Sequence, residues 1–458
     1  MSNDYVNYFN ETMNYNLFLK FLIDEKKNKN GLLLNYPNHL NDNYMNQEKK
    51  LMKKYSNTKD EQLKIIINNL NNYYKNKYYL YNLISAYHNE IIDFEHYNNN
   101  IFKPKLKINI QERENDFINY LKDVIKYLKI GLKLKITVPY IICKKFMKDI
   151  KPYEKYKFLY LYLKKNYLKN CRKTLGLYDV PNGINAYKYA INNETGGIKM
   201  SPEKIHKYGL KILPKKIDKI DKKEFYTSKE TFFNDCIKIS LYIYNNIIDK
   251  YFHFKPEKPF DIKKVPKNLE NTSSLAYYDE LTDAVYINLK YYKECHRKSI
   301  YSLLMHECFH QYHFKFLKHY NVDYYKIYGY YNNAFLEGFA HYMEIYCEDY
   351  NDNNEYSLLR KARLVVDTGI NYYGWSYKKA FNFMLKYMPR RKKDIQNEIM
   401  RYICMPAQAL GYNLGKREII KLRDEYLKKN KGTIKDFHHN LLINGTISFI
   451  YLKKVLDL

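Results

Sequence analysis

No stretch of this chain approaches the ~18 consecutive apolar residues that a membrane-spanning helix requires, so a helical membrane protein is not expected. The opening residues Met1-Ser2-Asn3-Asp4-Tyr5 lack the basic segment leading into an apolar one that marks a secretory signal. There is no C-x-x-C pair. The seven cysteines (Cys143, Cys171, Cys236, Cys295, Cys308, Cys347 and Cys404) are odd in number and irregular in spacing. A disulfide scaffold is therefore excluded, and reduced, mostly buried thiols are expected. Tryptophan occurs once, at Trp375, which is read as core packing, and no internal repeat is visible. Together these absences lead to the expectation of a cytoplasmic protein with no membrane partner.

Acidic residues are also in deficit. Lys and Arg number 78 against 49 Asp and Glu, a net charge of +29. Such a surplus raises a nucleic-acid hypothesis. The lysines, however, are scattered along helical segments and do not form one dense tract. Tyr (54 residues), Asn, Lys and Ile are inflated together, as AT-rich codons would produce. The expectation is a solvated basic surface that favours acidic partners at low salt, not a nucleic-acid site. With 458 residues, more than one hydrophobic unit is expected.

What the chain does contain is helical periodicity. Residues 61–70 read as an amphipathic helix, residues 97–100 with Pro104 as a break, and residues 116–121 and 156–161 as further helices. Asp179-Val180-Pro181-Asn182-Gly183 is a turn signal. Ser201-Pro202 starts a helix, with Ser as N-cap and Pro in the first turn. A long helix is expected from about Lys229 to Tyr251, followed by a connector with Pro256, Pro259 and Pro266. Two strand-like runs, Leu275–Tyr278 and Ala284–Leu289, flank the polar turn Asp279–Asp283 and predict a hairpin. From Lys298 onward nearly everything reads as helix. The expected fold is mostly α, with a small antiparallel sheet beside one helix. The expected division is residues 1–110, a helical region without a motif, and residues 111–458, which carry the chemistry.

That chemistry begins at Leu303-Leu304-Met305-His306-Glu307-Cys308-Phe309-His310, an H-E-x-x-H sequence. Residues four apart share a helix face, so His306 and His310 can address one ion, with Glu307 placed to take a proton from water. Cys308 should point away from that ion. Five of the thirteen histidines fall between 306 and 341, which raises the motif above chance. Downstream, Glu337, His341, Glu344 and Glu348 form a polar stripe on one helical face, and Glu337 is the candidate third ligand. Gly338 beside it permits another backbone to approach. Two His and one Glu leave a tetrahedral position open, the arrangement of a catalytic zinc site.

An H-E-x-x-H followed some 25 residues later by a helical Glu resembles the gluzincin pattern of zinc peptidases. More closely, the chain resembles a bacterial domain-of-unknown-function family of zinc peptidase-like proteins. The shared blocks run in order: Ser201-Pro202-Glu203-Lys204-Ile205-His206 with Gly209-Leu210, Val285–Leu289, His306-Glu307, and Glu337-Gly338-Phe339-Ala340 with Tyr342 and Glu344. They continue with Arg363–Gly369, Gly374-Trp375-Ser376, Arg401-Tyr402, Pro406–Tyr412, and Phe437-His438 with Leu441-Leu442 and Gly445. The resemblance implies a gluzincin-like, two-lobed helical metallopeptidase with one Zn²⁺ per chain, acting as a carboxypeptidase or oligopeptidase on small peptides. His306, His310 and Glu337 would hold the metal, and Glu307 would act as general base and acid. By the same resemblance Tyr412 is the first choice for oxyanion donor and Tyr402 the second.

The remaining candidates are more open. Arg401 is placed either on a substrate carboxylate, as a carboxypeptidase requires, or in an ion pair with Glu398 or Asp367. Asp367 is a turn or a carboxylate orienting a ligand histidine. The family commonly has a histidine near position 313, but His306 and His313 stand about 10 Å apart along a helix axis, too far for one ion. His313 is therefore read as a residue near the metal ligands or facing substrate. Asn371 stands where the family usually carries histidine. That departure motivates an alternative, an inactive zinc-binding relative that serves as a peptide-binding protein; a basic nucleic-acid-binding protein is the other. Ala276 and Tyr277 are placed on a strand able to pair with an extended peptide.

Overall fold

Helices begin where the capping residues stand. In the computed structural model, which describes residues 2–13, 15, 32–33, 40–81, 107–108, 110–217, 224–271, 273–280, 282–347 and 353–458, Ser201 Oγ accepts from the Lys204 N–H, Asp60 from Leu63 and Asn332 from Phe335. Each satisfies an amide that the first helical turn leaves without a partner. The described chain is mostly helical, with one three-stranded and one two-stranded sheet. The expected break at residues 97–100 and Pro104 lies outside the described residues, as does Glu348. No helix among the described residues is long and apolar enough to cross a membrane.

The chain forms two compact units, each assembled from segments that are not contiguous in sequence. The first comprises Met1–Ala190, Gly369–Ala380 and Gln396–Pro406. Its helices α1 (Asn3–Thr12), α2 (Asp42–Lys54) and α3 (Glu61–Lys75) meet through tyrosines, with Tyr8 edge-on to Tyr55 at 5.7 Å. Strands β1 (Leu32–Leu33) and β2 (Lys107–Ile108) pair in parallel. Helices α4 (Ile110–Lys133), α5 (Tyr140–Ile150) and α6 (Lys157–Tyr162) converge on Leu128, Ile142, Phe146, Leu159 and Tyr167. Asn371 belongs to this unit. It is buried, accepts from the Leu177 N–H (3.3 Å) and donates to the Tyr402 carbonyl (3.1 Å), so it clips three segments together. Trp375 lies over Gly369, where a β-carbon would sit 2.6 Å from the indole; the tryptophan packs.

The second unit comprises Ile191–Thr368, Phe381–Ile395 and Ala407–Leu458. It contains α7 (Pro202–Ile212) and α8 (Lys229–Tyr242), the latter continuing through a π-turn at Ile243–Ile247 to Tyr251. Strands β3 (Ile262–Lys264), β4 (Ala276–Asp279) and β5 (Ala284–Ile287) follow, in the order β3-β5-β4. The hairpin pairs antiparallel as expected, but β3 joins β5 in parallel. The sheet is thus mixed, not antiparallel. Strand β3 lies in the Pro- and Lys-rich connector, whose three residues carry no alternation to mark them. The unit is completed by α9 (Arg297–His319), α10 (Asn333–Met343), α11 (Glu355–Asn371, within this unit to Thr368), α12 (Gly411–Lys428) and α13 (Ile434–Leu442).

Helix α9 is buried on most of its faces, with Leu304, Cys308, Phe309 and Tyr312 inaccessible to solvent. Helices α10 and α12 touch along small residues. A β-carbon on Gly338 would lie 2.5 Å from Gly415 Cα, and one on Gly415 would lie 1.8 Å from the Ala334 carbonyl oxygen. Backbone meets backbone there, so neither helix can yield without separating. Gly415→Ala is expected to destabilise the protein by about 3 kcal/mol or more, read as a fall in the urea midpoint; an unchanged midpoint would refute this contact.

Helix α13 contributes His438, which is buried. Its Nδ1–H donates to the Tyr251 carbonyl (2.9 Å), its Nε2 accepts from Tyr342 Oη (2.8 Å), and Phe252 stacks on the ring at 4.7 Å. Burial pushes its pKa down to about 4, with Arg423 acting in the same direction and the bond to Tyr251 opposing. In the unfolded chain the imidazole titrates near 6.5. The unfolded state therefore binds more protons between about pH 6.5 and 4, and stability must fall as pH falls through that window. Between pH 7 and 5, wild type should lose about 2 kcal/mol more than His438→Gln in urea denaturation. Equal losses would show that this histidine is not buried neutral.

Candidate functional site

The middle of α9 and the middle of α10 bring three atoms able to ligate a metal together in the second unit. His306 Nε2 lies 3.1 Å from Glu337 Oε2 and 3.2 Å from His310 Nε2, and His310 Nε2 lies 3.5 Å from Glu337 Oε2. A tetrahedral zinc with bonds of about 2.0–2.1 Å has ligand–ligand edges of about 3.3–3.4 Å. The three distances bracket that edge, so the residues present fit the ion. Among the described residues this is the one group of three or more His, Cys, Asp or Glu side chains that converges in this way. His306 is almost fully buried, while His310 and Glu337 keep side-chain exposures of 17% and 22%, which leaves one face of the triad open.

Behind His306 stands a carboxylate that the sequence did not single out for this role. Glu344 has no exposed surface, and its Oε1 lies 3.1 Å from His306 Nδ1. Arg360 reaches Glu344 with both terminal nitrogens, each at 3.0 Å, and Ser302 Oγ donates to the same group. His341 Nδ1 lies 3.2 Å from Glu344 Oε1 but is misaligned for a hydrogen bond. Glu344 thus fixes the ring orientation of His306, so that Nε2 faces the triad. Burial raises the Glu344 pKa, but Arg360 and the two histidines hold it well below the usual carboxylate range. The Glu337 carboxyl is likewise low, because the bonds to His306 and His310 outweigh burial. Burial and Arg360 press His306 toward neutrality, yet the bonds to Glu337 and Glu344 raise its pKa.

Glu307 is held by a strand. Its Oε2 accepts from the Tyr278 N–H at 3.0 Å, and β4 is an edge strand of the sheet. The hairpin is pinned to α9: Gln311 donates to the Asp283 carbonyl and Lys315 pairs with Asp283 at 3.1 Å. Asp283 takes φ +47°, an uncommon left-handed conformation for a residue with a side chain. Tyr412, on α12, donates from Oη to Glu337 Oε1 at 2.8 Å, and its ring stacks on His306 at 6.0 Å. The close α10–α12 contact at Gly338 and Gly415 makes this possible. The Arg363 guanidinium lies over the Tyr412 ring, 4.4 Å from its centre.

The other residues named from the sequence have these surroundings. Tyr402 and Arg401 belong to the first unit; Tyr402 Oη donates to Glu398 (2.7 Å), and Arg401 makes the ion pair with Glu398 (3.4 Å) that was one of its two placements. Asp367 holds a backbone amide. Both of its oxygens accept from the Ala407 N–H at 3.1 Å, supporting a residue at φ +70°. His313, expected near the ligands or substrate, is core: it is buried among Phe314, Phe335 and Phe339, its Nε2 has no hydrogen-bond partner, and burial with His310 pushes its pKa to about 3. One helical turn beyond His310, α9 has passed the triad and reached aromatic packing. No disulfide links the seven cysteines, and Cys308 is buried.

Residues 216–456 match the family described as "Bacterial protein of unknown function (DUF885)". No curated protein matches. Two solved structures share the fold. One, described as a "putative lipoprotein" from Colwellia psychrerythraea, aligns with a TM-score of 0.62 at 18% identity, over 75% of each chain. The other, a "putative lipoprotein of unknown function" from Shewanella oneidensis, aligns with a TM-score of 0.65 at 14% identity, over 99% of each chain.

Proposed function

The chain belongs to the DUF885 family of bacterial proteins of unknown function, and on that premise we propose that it is a zinc-dependent hydrolase of peptide bonds acting on small peptides. The observation that carries this reading is the convergence of His306, His310 and Glu337 beside a glutamate tethered to an edge strand. Zinc, when held there, would supply a Lewis acid that polarises a carbonyl and lowers the pKa of water.

The chain's own residues do the rest. Glu307 takes the proton of the attacking water and returns it to the leaving amine. The Tyr278 N–H keeps the Glu307 carboxylate turned toward β4, so a peptide laid antiparallel or parallel along that edge would place its backbone within reach of the base. Glu344 and Arg360 hold His306 in position. Tyr412 Oη, now bonded to Glu337, is the group of this site best placed to donate to the oxygen that becomes negative during attack.

Tyr412→Phe is expected to lower kcat about 10²-fold without changing the metal content, measured on the best peptide of a library. A comparable loss of bound zinc would instead make the tyrosine a support for Glu337. The reading as a whole is tested by metal analysis of the purified protein together with peptide-library cleavage. One zinc per chain and cleavage abolished by His306→Ala are expected. Zinc without cleavage of any peptide would remove the hydrolase assignment; no zinc in a folded protein would remove both.

A further inference from the structure

The positive charge of the chain is not evenly spread. Residues 133–173 carry twelve lysines and Arg172 against only Asp149 and Glu154, eleven of the surplus of 29. The two acids are matched to Lys145 and Lys157. The outward face of α5 presents Tyr140, Ile141, Lys144, Lys145 and Lys148, at helical spacing. The neighbouring α6, with the π-turn Leu163–Tyr167 and the 3-10 turn Leu168–Asn170 that continue it, presents Leu161, Lys164, Lys165 and Lys169. The inward faces of both, through Ile142, Phe146, Leu159 and Leu163, are buried around one apolar cavity that Leu128 of α4 also lines.

Apolar side chains are exposed among these lysines. Leu134, Tyr140, Ile141, Tyr153 and Leu161 are each 37–43% exposed, and they are five of the twelve large apolar side chains that lie open on the described surface. All five fall within the single stretch from Leu134 to Leu161 that carries the lysines. Aliphatic side chains and tyrosines interleaved with long lysines suit an interface where apolar groups enter the acyl boundary while ammonium groups reach lipid phosphates. A nucleic-acid face would favour arginine, whose planar fork reads phosphates and bases. Here the one arginine, Arg172, is turned to the carbonyls of Thr137, Thr174 and Gly176.

We propose that the α5–α6 face of the first unit, with Lys144, Lys148, Lys164 and Lys165 around Tyr140, Ile141 and Leu161, docks the protein peripherally on an anionic lipid surface. This surface lies in the unit that does not hold the metal ligands, so the proposal stands apart from the hydrolase reading.

The test uses the full chain and sedimentation with phosphatidylcholine vesicles, with and without phosphatidylglycerol. Binding only to the phosphatidylglycerol vesicles, weakened by added salt, is expected. Each lysine near such a surface is worth about fivefold in partitioning, so Lys144→Gln, Lys148→Gln, Lys164→Gln and Lys165→Gln together should weaken it by two to three orders of magnitude. A control with the exposed Lys229, Lys238, Lys258 and Lys267 changed to Gln should bind within about twofold of wild type. Tyr140→Ser with Ile141→Ser should weaken binding about tenfold, with the salt dependence retained. No preference for phosphatidylglycerol, or an equal loss in the control, would overturn the proposal. Duplex DNA that binds more tightly than the vesicles and depends on the same four lysines would overturn it in favour of a nucleic-acid face.

Discussion

Glu307→Gln should abolish measurable peptide hydrolysis, a loss of about 10²–10⁴-fold, while leaving the metal content and the fold unchanged. The substitution keeps the shape of the side chain, and its amide oxygen can still accept from the Tyr278 N–H, so the hairpin keeps its hold on α9. His306, His310 and Glu337 are untouched. What is lost is the ability to accept a proton and pass it on. The check is kcat on the best library peptide, with zinc measured on the same sample. Turnover that survives within tenfold would sink Glu307 as the base and, with it, the hydrolase reading of the H-E-x-x-H helix.

The second large effect is expected at Glu344. Its carboxylate has no exposed surface and is the common partner of His306, Arg360 and Ser302. Glu344→Ala would leave the Arg360 guanidinium, itself 5% exposed, buried without its counter-charge. Removing one partner of such a pair costs about 3–5 kcal/mol, seen as a lower urea midpoint. Glu344→Gln keeps the volume but changes what His306 Nδ1 meets, and zinc affinity should fall about 10–100-fold. Competition with a chelator measures this separately from stability. If Glu344→Gln holds zinc as tightly as wild type, Glu344 is a structural ion-pair partner and does not orient the ligand.

Much of the site was legible from local rules. The spacing of His306 and His310 guarantees a shared helix face, whatever the helix packs against. Glu337 was accessible because a helix carrying charged residues beside Phe335, Phe339 and Met343 has to satisfy them in its buried surroundings. Gly338 announced a close neighbour, and Gly415 is that neighbour. Capping at Ser201 and the hairpin at 276–287 also followed from residue type and alternation. Glu344 shows where this ends. It was visible as the next member of the stripe, but its work depends on Arg360 and Ser302, which come from two other helices and carry no local mark.

Asn371, Asp367 and His313 make the same point from the other side. Each was weighed as a participant in chemistry because of its residue type or position. Asn371 bridges Leu177 and Tyr402, Asp367 supports Ala407, and His313 fills an aromatic pocket. A buried polar side chain needs partners, and which partners it finds depends on segments tens or hundreds of residues away. The parallel strand β3 is of this kind too, since three residues of connector become a strand only when β5 lies beside them.

The sequence alone determined the helical character of this protein, the face that presents His306 and His310, and the identity of the third ligand candidate, because helix geometry and capping are set within a few residues. Only the tertiary structure decided that the three candidate ligand atoms close to zinc-sized distances, that Glu344 and Arg360 stand behind His306, that a strand amide holds Glu307, and that Tyr412 reaches Glu337. Those relations are made by packing between distant segments, where burial and partner, not residue type, decide what a side chain does.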